Sequence, residues 1–132
     1  MKPLDIKFSQ DSIKHEFMNG RSIYELFEAL MTHELDAFQL PPLLVTKING
    51  ETVCVDGNRR LFVLQKLAQY NMVGYVRVRQ YTGPPARITA RGAPIKIRGK
   101  PEIEEEMNQW FEGLHDLVFK GVPKQNFRIG FQ

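Results

Sequence analysis

The chain has 132 residues, 42% of them hydrophobic and 25% charged, which is the composition of a globular domain long enough to bury a core. No apolar run approaches the roughly 20 residues that a membrane-spanning helix needs, and the first residues contain no apolar signal-peptide core. The lone cysteine, Cys54, excludes an internal disulfide framework and suits a reducing compartment. We therefore predict a cytoplasmic protein that does not enter a membrane.

The net charge of +3 hides a strong asymmetry along the chain. Residues 1–56 carry five basic and nine acidic side chains, and residues 102–132 carry three basic and six acidic ones. Residues 57–101 carry ten basic side chains and no acidic one. Either the acidic flanks fold against this middle segment, or the middle forms a positive surface that binds phosphates or nucleic acid.

The N-terminal part of the chain predicts two helical segments. A short turn through residues 11–17 takes Ser9 or Asp11 as its cap, because both side chains accept hydrogen bonds from free N–H groups. A longer helix is predicted over residues 22–35, where Ser22 is followed three positions later by a glutamate in the capping-box pattern. Apolar residues recur there at helical spacing: Ile23, Leu26, Phe27 and Leu30.

The clearest local pattern is a β-hairpin in the middle of the chain. Two runs rich in β-forming residues flank Asn49-Gly50, the dipeptide typical of a type I′ turn. The second run ends at Asp56-Gly57, and the spacing of apolar residues predicts a helix over residues 58–70.

The last part of the chain predicts short strands and a final helix. Residues 74–81 alternate apolar and polar side chains, which indicates a strand with Arg77 and Arg79 on one face. The Gly- and Pro-rich stretch that follows predicts loops around a short hairpin of "ARITA" and "PIKIR". An amphipathic helix is predicted over residues 102–119.

The strand–turn–helix unit around Gly57 is the strongest candidate for a functional site. Gly57 allows close backbone approach, and the free N–H groups at the start of the next helix attract anions. Arg59 and Arg60 place two cations at the helix end that disfavours positive charge, and forked guanidinium groups suit phosphate oxygens. The alternative is that one of these arginines pairs with Asp56 or with an acidic residue from elsewhere in the chain.

The order "LPPLLVTKINGETVCVDGNRRLFVLQKL…VGYVRV" resembles the ParB/sulfiredoxin superfamily over roughly residues 4–81. Its members share a helix, a loop with prolines, a short hairpin and a Gly-x-x-Arg box that opens a helix. The box is Gly-Glu-Arg-Arg in ParB proteins and Gly-Cys-His-Arg in sulfiredoxins, and here it is Gly57-Asn58-Arg59-Arg60. Together with the opening "IKFSQDSI…NGRSIYEL", it looks most like the ParB-like domains at the C-termini of bacterial polymorphic toxins.

This resemblance implies that the box holds nucleotide phosphates, and that Arg21 lies where sulfiredoxins place a phosphate-binding lysine. Asn58 replaces the sulfiredoxin cysteine, which excludes thiol-based reduction of a sulfinic acid. Cys54 is not a substitute, because it lies on the preceding strand with its side chain expected in the core. Asn58 also replaces the ParB glutamate, so that a carboxylate role falls to Asp56.

We therefore expect an α+β fold in which a small mixed β-sheet packs with helices, similar to the ParB/sulfiredoxin fold. Residues 1–82 form the ParB/sulfiredoxin-like core in this interpretation. Residues 83–132 add a basic loop or hairpin and a C-terminal helix that packs on the same single domain.

The leading functional hypothesis is a ParB-like domain that handles the phosphates of a nucleotide or a nucleic acid, as a toxin-type nuclease or nucleotide hydrolase. A nucleoside triphosphate is then the ligand or substrate, and Asp56 and Asp11 are the catalytic candidates that orient a water. Asp56 is also the candidate ligand for Mg²⁺, which proteins often hold with one or two carboxylates and the substrate's phosphates. The basic residues predicted to contact nucleic acid are Arg77, Arg79, Arg91 and Arg98.

Two other functions use the same residues. One is a non-catalytic DNA-binding module, and the other is an ATP-dependent phosphotransferase. A toxin domain would be delivered into the cytoplasm of a target cell and would have an immunity protein as its partner. The adjacent pair His15-Glu16 allows acid–base chemistry, with a solvated surface pair as the simpler interpretation.

Overall fold

The computed structural model describes residues 1–85, 88 and 95–118, with side chains up to residue 113 in the last helix. Within these ranges the protein has three helices, a mixed four-stranded sheet and a small parallel two-stranded sheet, which confirms the predicted α+β class. The elements in chain order are β1 (Ile6–Phe8), β2 (Ser12–Lys14), α1 (Ile23–Met31), β3 (Leu43–Ile48), β4 (Glu51–Asp56), α2 (Asn58–Gln69), β5 (Val78–Gln80), β6 (Lys96–Arg98) and α3 (Ile103–Val118).

The four-stranded sheet has the order β1-β4-β3-β5. Strands β3 and β4 are antiparallel, whereas β1 runs parallel to β4 and β5 runs parallel to β3. The predicted hairpin is confirmed, since Asn49 and Gly50 between β3 and β4 have φ angles of 50° and 82°. The predicted strand over residues 74–81 is shorter in the structure, because only Val78–Gln80 pairs with β3.

The small sheet corrects two predictions. The turn predicted over residues 11–17 is wrong, because Ser12–Lys14 is a strand that pairs in parallel with β6. Ser9 is buried rather than capping a helix, and its N–H donates to the side chain of Asn58. The segment "PIKIR" does contain a strand, but its described partner is β2, and "ARITA" lies almost wholly outside the described residues. Pairing across more than 80 residues overrides the local preference for a capped turn.

Helix α1 begins as predicted and ends earlier. The Ser22 hydroxyl accepts a hydrogen bond from the N–H of Glu25 at 3.1 Å, which satisfies one free donor of the first turn. The Glu25 carboxylate instead lies 3.6 Å from Nε of Arg21. The helix ends at Met31, because His33 takes the left-handed backbone conformation with φ 64°.

The core lies between the helices and the larger sheet, and α3 belongs to it. The Phe27 ring of α1 meets Trp110 of α3 edge-on at 6.0 Å, and Tyr70 at the end of α2 stacks on Phe111 at 4.0 Å. Fully buried apolar side chains from all three helices join one cluster: Ile23, Phe27, Leu61, Leu67, Ile103 and Met107. None of the helices in the described ranges has both the length and the apolar character that crossing a bilayer requires.

Candidate functional site

The start of α2 follows directly from the end of β4, and Gly57 makes this junction. Its φ of 107° is a conformation that side chains other than glycine rarely adopt. A Cβ atom at this position would also lie 2.7 Å from Cδ2 of Leu43 and 2.8 Å from Nη2 of Arg60. Among the residues that the structure describes, no side chain caps the helix here, so the N–H groups of its first turn have no side-chain acceptor from this part of the chain.

This helix start opens into a cleft of about 840 Å³. The other walls come from the segment that runs from the end of β1 through β2 to the loop before α1, from the end of β4, and from β6. Both basic and acidic side chains line the cleft. The basic ones are Lys14, Arg59, Arg60 and Arg98, and the acidic ones are Glu16 and Asp56. The site is therefore a mostly cationic cleft with free N–H groups at its base.

Arg59 and Arg60 are held in place by backbone carbonyl groups. Nη1 of Arg59 donates to the carbonyl oxygen of Glu16 at 2.5 Å, and its guanidinium carbon lies 5.6 Å from the centre of the Phe17 ring. Nη1 of Arg60 donates to the carbonyl oxygen of Pro41 at 2.6 Å. Within the described residues neither guanidinium forms an ion pair, so the predicted alternative of a pair with Asp56 is not seen there. Because a guanidinium has five N–H donors, each arginine retains donors for an anion.

Asn58 plays a different part from the one its place in the box implies. Its side chain is buried, with Nδ2 donating to Oγ of Ser9 at 3.0 Å and Oδ1 accepting from the N–H of Ser9 at 3.2 Å. These two bonds tie the end of β1 to the start of α2. The side chain of Asn58 therefore supports the shape of the cleft, and its backbone N–H is the group that remains for an anion.

The two predicted catalytic carboxylates do not share a cavity. Asp56 is exposed at the end of β4 and lines the cleft. Asp11 lines a neighbouring cavity of about 560 Å³, where its carbonyl oxygen accepts from the N–H of Lys96 at 3.0 Å. The other carboxylate of the cleft, on Glu16, lies 3.2 Å from Nε2 of His15, which is the surface pair considered above.

The donor set of the cleft limits what metal it can hold. Among the described residues, no group of three or more His, Cys, Asp or Glu side chains could bind a metal ion. A single carboxylate from Asp56 suits Mg²⁺ only when substrate phosphates supply further oxygen ligands. The cleft thus fits a substrate-bound ion and not a protein cage.

Arg21 is not brought into the cleft, although the resemblance implied a phosphate-binding role for it. It immediately precedes the cap of α1, and its Nε faces the Glu25 carboxylate. It is absent from the residues that line the cleft, whereas Phe17, Met18 and Asn19 before it are present.

The residues predicted to contact nucleic acid lie near the same cleft where the structure describes them. Arg98 lines the cleft itself, and Nη2 of Arg77 donates to the carbonyl oxygen of Leu40 at 2.5 Å. Arg79 and Asp56 are both register partners of Leu44, which places them two strands apart, roughly 10 Å. The fourth predicted residue, Arg91, lies outside the described residues.

Lys14 is a basic residue of the cleft that the sequence interpretation missed. It pairs in register with Arg98 across the small sheet, and both side chains are exposed beside the buried Ile13 and Ile97. The signal for this strand is the alternation of polar and apolar residues at Ser12, Ile13 and Lys14. Interpreting the segment as a strand would have placed Lys14 on its exposed face.

Cys54 has the core position expected of it. The side chain is buried, and burial raises the pKa of the thiol from 9.0 to about 12 although the nearby charge of Arg60 acts to lower it. Its Sγ donates to the carbonyl oxygen of Asp56 at 3.3 Å. The thiol is therefore protonated and enclosed at neutral pH, in agreement with the exclusion of thiol chemistry.

Comparisons with protein-family models, with curated proteins and with solved structures found no match to this chain. The resemblance of the box to the ParB/sulfiredoxin superfamily therefore stays a prediction.

Proposed function

We propose that this protein binds the phosphates of a nucleotide or a nucleic acid in the cleft at the start of α2, as a ParB/sulfiredoxin-like domain. The observation that carries the proposal is that two guanidinium groups are fixed by neutral carbonyls, at Glu16 and Pro41, beside an uncapped helix start. Fixed cations next to free N–H groups form a site for an anion. Forked guanidinium groups favour phosphate oxygens over a monatomic anion.

The reaction that we propose is hydrolysis of a phosphate ester or anhydride, in a toxin-type nuclease or a nucleotide hydrolase. A water oxygen adds to phosphorus and the bond from phosphorus to the leaving oxygen breaks. The water gives up one proton, and the leaving oxygen takes up one proton in its place. Asp56 is the residue that orients this water, because its carboxylate is exposed on the cleft without an ion pair in the described part of the chain. Asp56 would also hold Mg²⁺ with the substrate's phosphates, and that ion would neutralise charge on them.

The test uses one variant that should affect phosphate binding and a second variant that should affect hydrolysis. Arg60→Gln removes a phosphate contact and should weaken the binding of ATP, CTP or GTP by about tenfold. Asp56→Asn keeps the shape of the side chain and should abolish product formation while retaining binding. Lys47→Gln is the matched control, because Lys47 is exposed near the hairpin turn at the far end of β3.

Each product identifies one activity when the nucleotides and plasmid DNA are supplied with Mg²⁺. Nicked plasmid without added nucleotide indicates a nuclease, and released phosphate without nicking indicates a nucleotide hydrolase. Transfer of the γ-phosphoryl group to an acceptor indicates the phosphotransferase instead. If neither nucleotides nor DNA bind to the unchanged protein, the proposed function is wrong.

A further inference from the structure

Basic side chains continue from the cleft onto the small sheet. Lys14 on β2 and Arg98 on β6 are register partners in a parallel pair, so their side chains leave the sheet on the same face. Both line the cleft that contains Arg59 and Arg60. The cations of the cleft therefore come from two separate parts of the fold, the small sheet and the start of α2.

Basic side chains also continue in the other direction, past the proline loop. Arg60 and Arg77 donate to the carbonyl oxygens of consecutive residues, Pro41 and Leu40. The loop thus binds both guanidinium groups through adjacent residues, and Arg60 lines the cleft whereas Arg77 does not. Two residues further on, Arg79 lies in the middle of β5, where its register partner is Leu44 on β3.

We propose that a single polynucleotide strand lies along this row of cations, with its phosphodiester groups contacting one side chain after another. We call the row the basic track, and it consists of Lys14, Arg98, Arg59, Arg60, Arg77 and Arg79. The inference rests on the proposed function and deepens it, because it names a phosphodiester chain, and not a free nucleotide, as the ligand.

The positions of the cations favour a polynucleotide strand over a free nucleotide as the ligand. The track draws on β2, β6, the start of α2 and the β5 region, and Arg77 and Arg79 do not line the cleft. A nucleotide bound at the start of α2 contacts only the central members of the track, Arg59 and Arg60. A polynucleotide strand contacts the outer members as well. The charge of the cleft stays positive, since four basic side chains line it and only two carboxylates, those of Glu16 and Asp56, line it with them.

The experiment compares an oligonucleotide with a nucleotide on the same variants. We would measure the anisotropy of a labelled oligothymidylate of about 16 nucleotides, and of a labelled ATP, over a range of salt concentrations. Six contacts predict a slope of log affinity against log salt of about −4 for the oligonucleotide. Lys14→Gln and Arg79→Gln should each reduce the size of that slope by about 0.7. Each should weaken oligonucleotide binding at least about threefold more than ATP binding.

Two further variants control for charge and for folding. Lys47→Gln removes an exposed cation whose register partner, Thr52, is about 13 Å along β4 from Asp56, and it should leave both ligands unaffected. Arg77→Lys keeps the charge and should keep the slope. Thermal unfolding of each variant shows whether it retains the fold of the unchanged protein.

The result that supports the track is a selective loss of oligonucleotide affinity in Lys14→Gln and Arg79→Gln. Equal losses for both ligands, or a loss in Lys47→Gln as large as in the track variants, would overturn it. Binding of ATP without binding of the oligonucleotide would overturn the track and leave the proposed function intact. Binding of neither ligand would refute both.

Discussion

Gly57 is the residue on which the geometry of the cleft depends most. Its left-handed φ turns the chain from β4 into α2, and the absence of a Cβ lets the Arg60 guanidinium lie over the turn. Arg60 then reaches Pro41 without a carboxylate partner in the described residues. One glycine thus positions a cation beside the helix start that it opens.

We expect Gly57→Ala to lose both stability and ligand binding. The left-handed conformation alone costs a side chain about 1–2 kcal/mol, and the new Cβ displaces Arg60 or Leu43. Urea unfolding and titration with ATP measure the two effects. Gly50→Ala is the matched control, because Gly50 has φ +82° with nothing within 4 Å of the added Cβ. It should lose similar stability and keep its affinity, whereas normal ATP affinity in Gly57→Ala would contradict our account of the turn.

The buried thiol of Cys54 makes the stability of the protein depend on pH. A pKa raised from 9.0 to about 12 means that the folded state holds this proton more tightly than the unfolded state. The thiol's contribution to stability is complete below the unfolded pKa and is lost as pH rises through the folded value. Tyr70 acts in the same direction, since burial raises its pKa from 10.0 to about 12.

We therefore predict that the protein loses stability between about pH 9 and about pH 12. Cys54→Ala removes the thiol proton, so its unfolding free energy should fall less steeply over this range than that of the unchanged protein. Urea unfolding at about pH 7 and about pH 10.5 measures the difference. An identical fall in both proteins would show that the thiol is not responsible.

At the scale of elements, α2 and α3 are joined by a buried cation. Lys66 is only 7% exposed, and its Nζ lies 3.1 Å from Oε1 of Glu104 and 3.3 Å from Oδ1 of Asn108. The same Oδ1 accepts from the hydroxyl of Tyr70, whose ring stacks on Phe111. This polar cluster fixes α3 against the helix that carries the cleft arginines.

Glu104→Gln should destabilise the protein by about 1–3 kcal/mol, because it leaves the buried ammonium of Lys66 without its carboxylate. Glu104 is itself half-exposed, which keeps the loss below that of a fully buried pair. Glu105→Gln, one residue along on the exposed face of α3, is the control and should change stability little. Replacing Lys66 with Met in the Glu104→Gln protein should recover most of the loss, and a failure to recover it would contradict this role.

At the scale of the whole molecule, the sequence predicted the elements whose signals are local. The Asn49-Gly50 turn, the cap at Ser22 and the helix after Gly57 each depend on a few neighbouring residues, and all three are observed. Strand β2 was missed because its alternating pattern is only three residues long and its partner β6 lies more than 80 residues away. The same reason explains why Lys14 was overlooked.

The candidate site was predictable in its residue types and not in its contacts. The box placed Arg59 and Arg60 at a helix start, but their carbonyl partners come from a loop before α1 and a loop before β3. Likewise, Asn58 was assigned to phosphate, while its side chain binds Ser9 from the end of β1. Contacts between distant segments need the folded chain, and these contacts decide which donors face the cleft.

The central claim is that the cleft at the start of α2 binds phosphate through Arg59 and Arg60. Calorimetric titration with pyrophosphate, the smallest ligand with two linked phosphates, tests it most directly, using the unchanged protein and the Arg59→Gln and Arg60→Gln variants at low salt. We predict binding that weakens by about tenfold in each variant and falls further as salt is added. Binding of equal strength in all three proteins, or no binding by the unchanged protein, would contradict the claim.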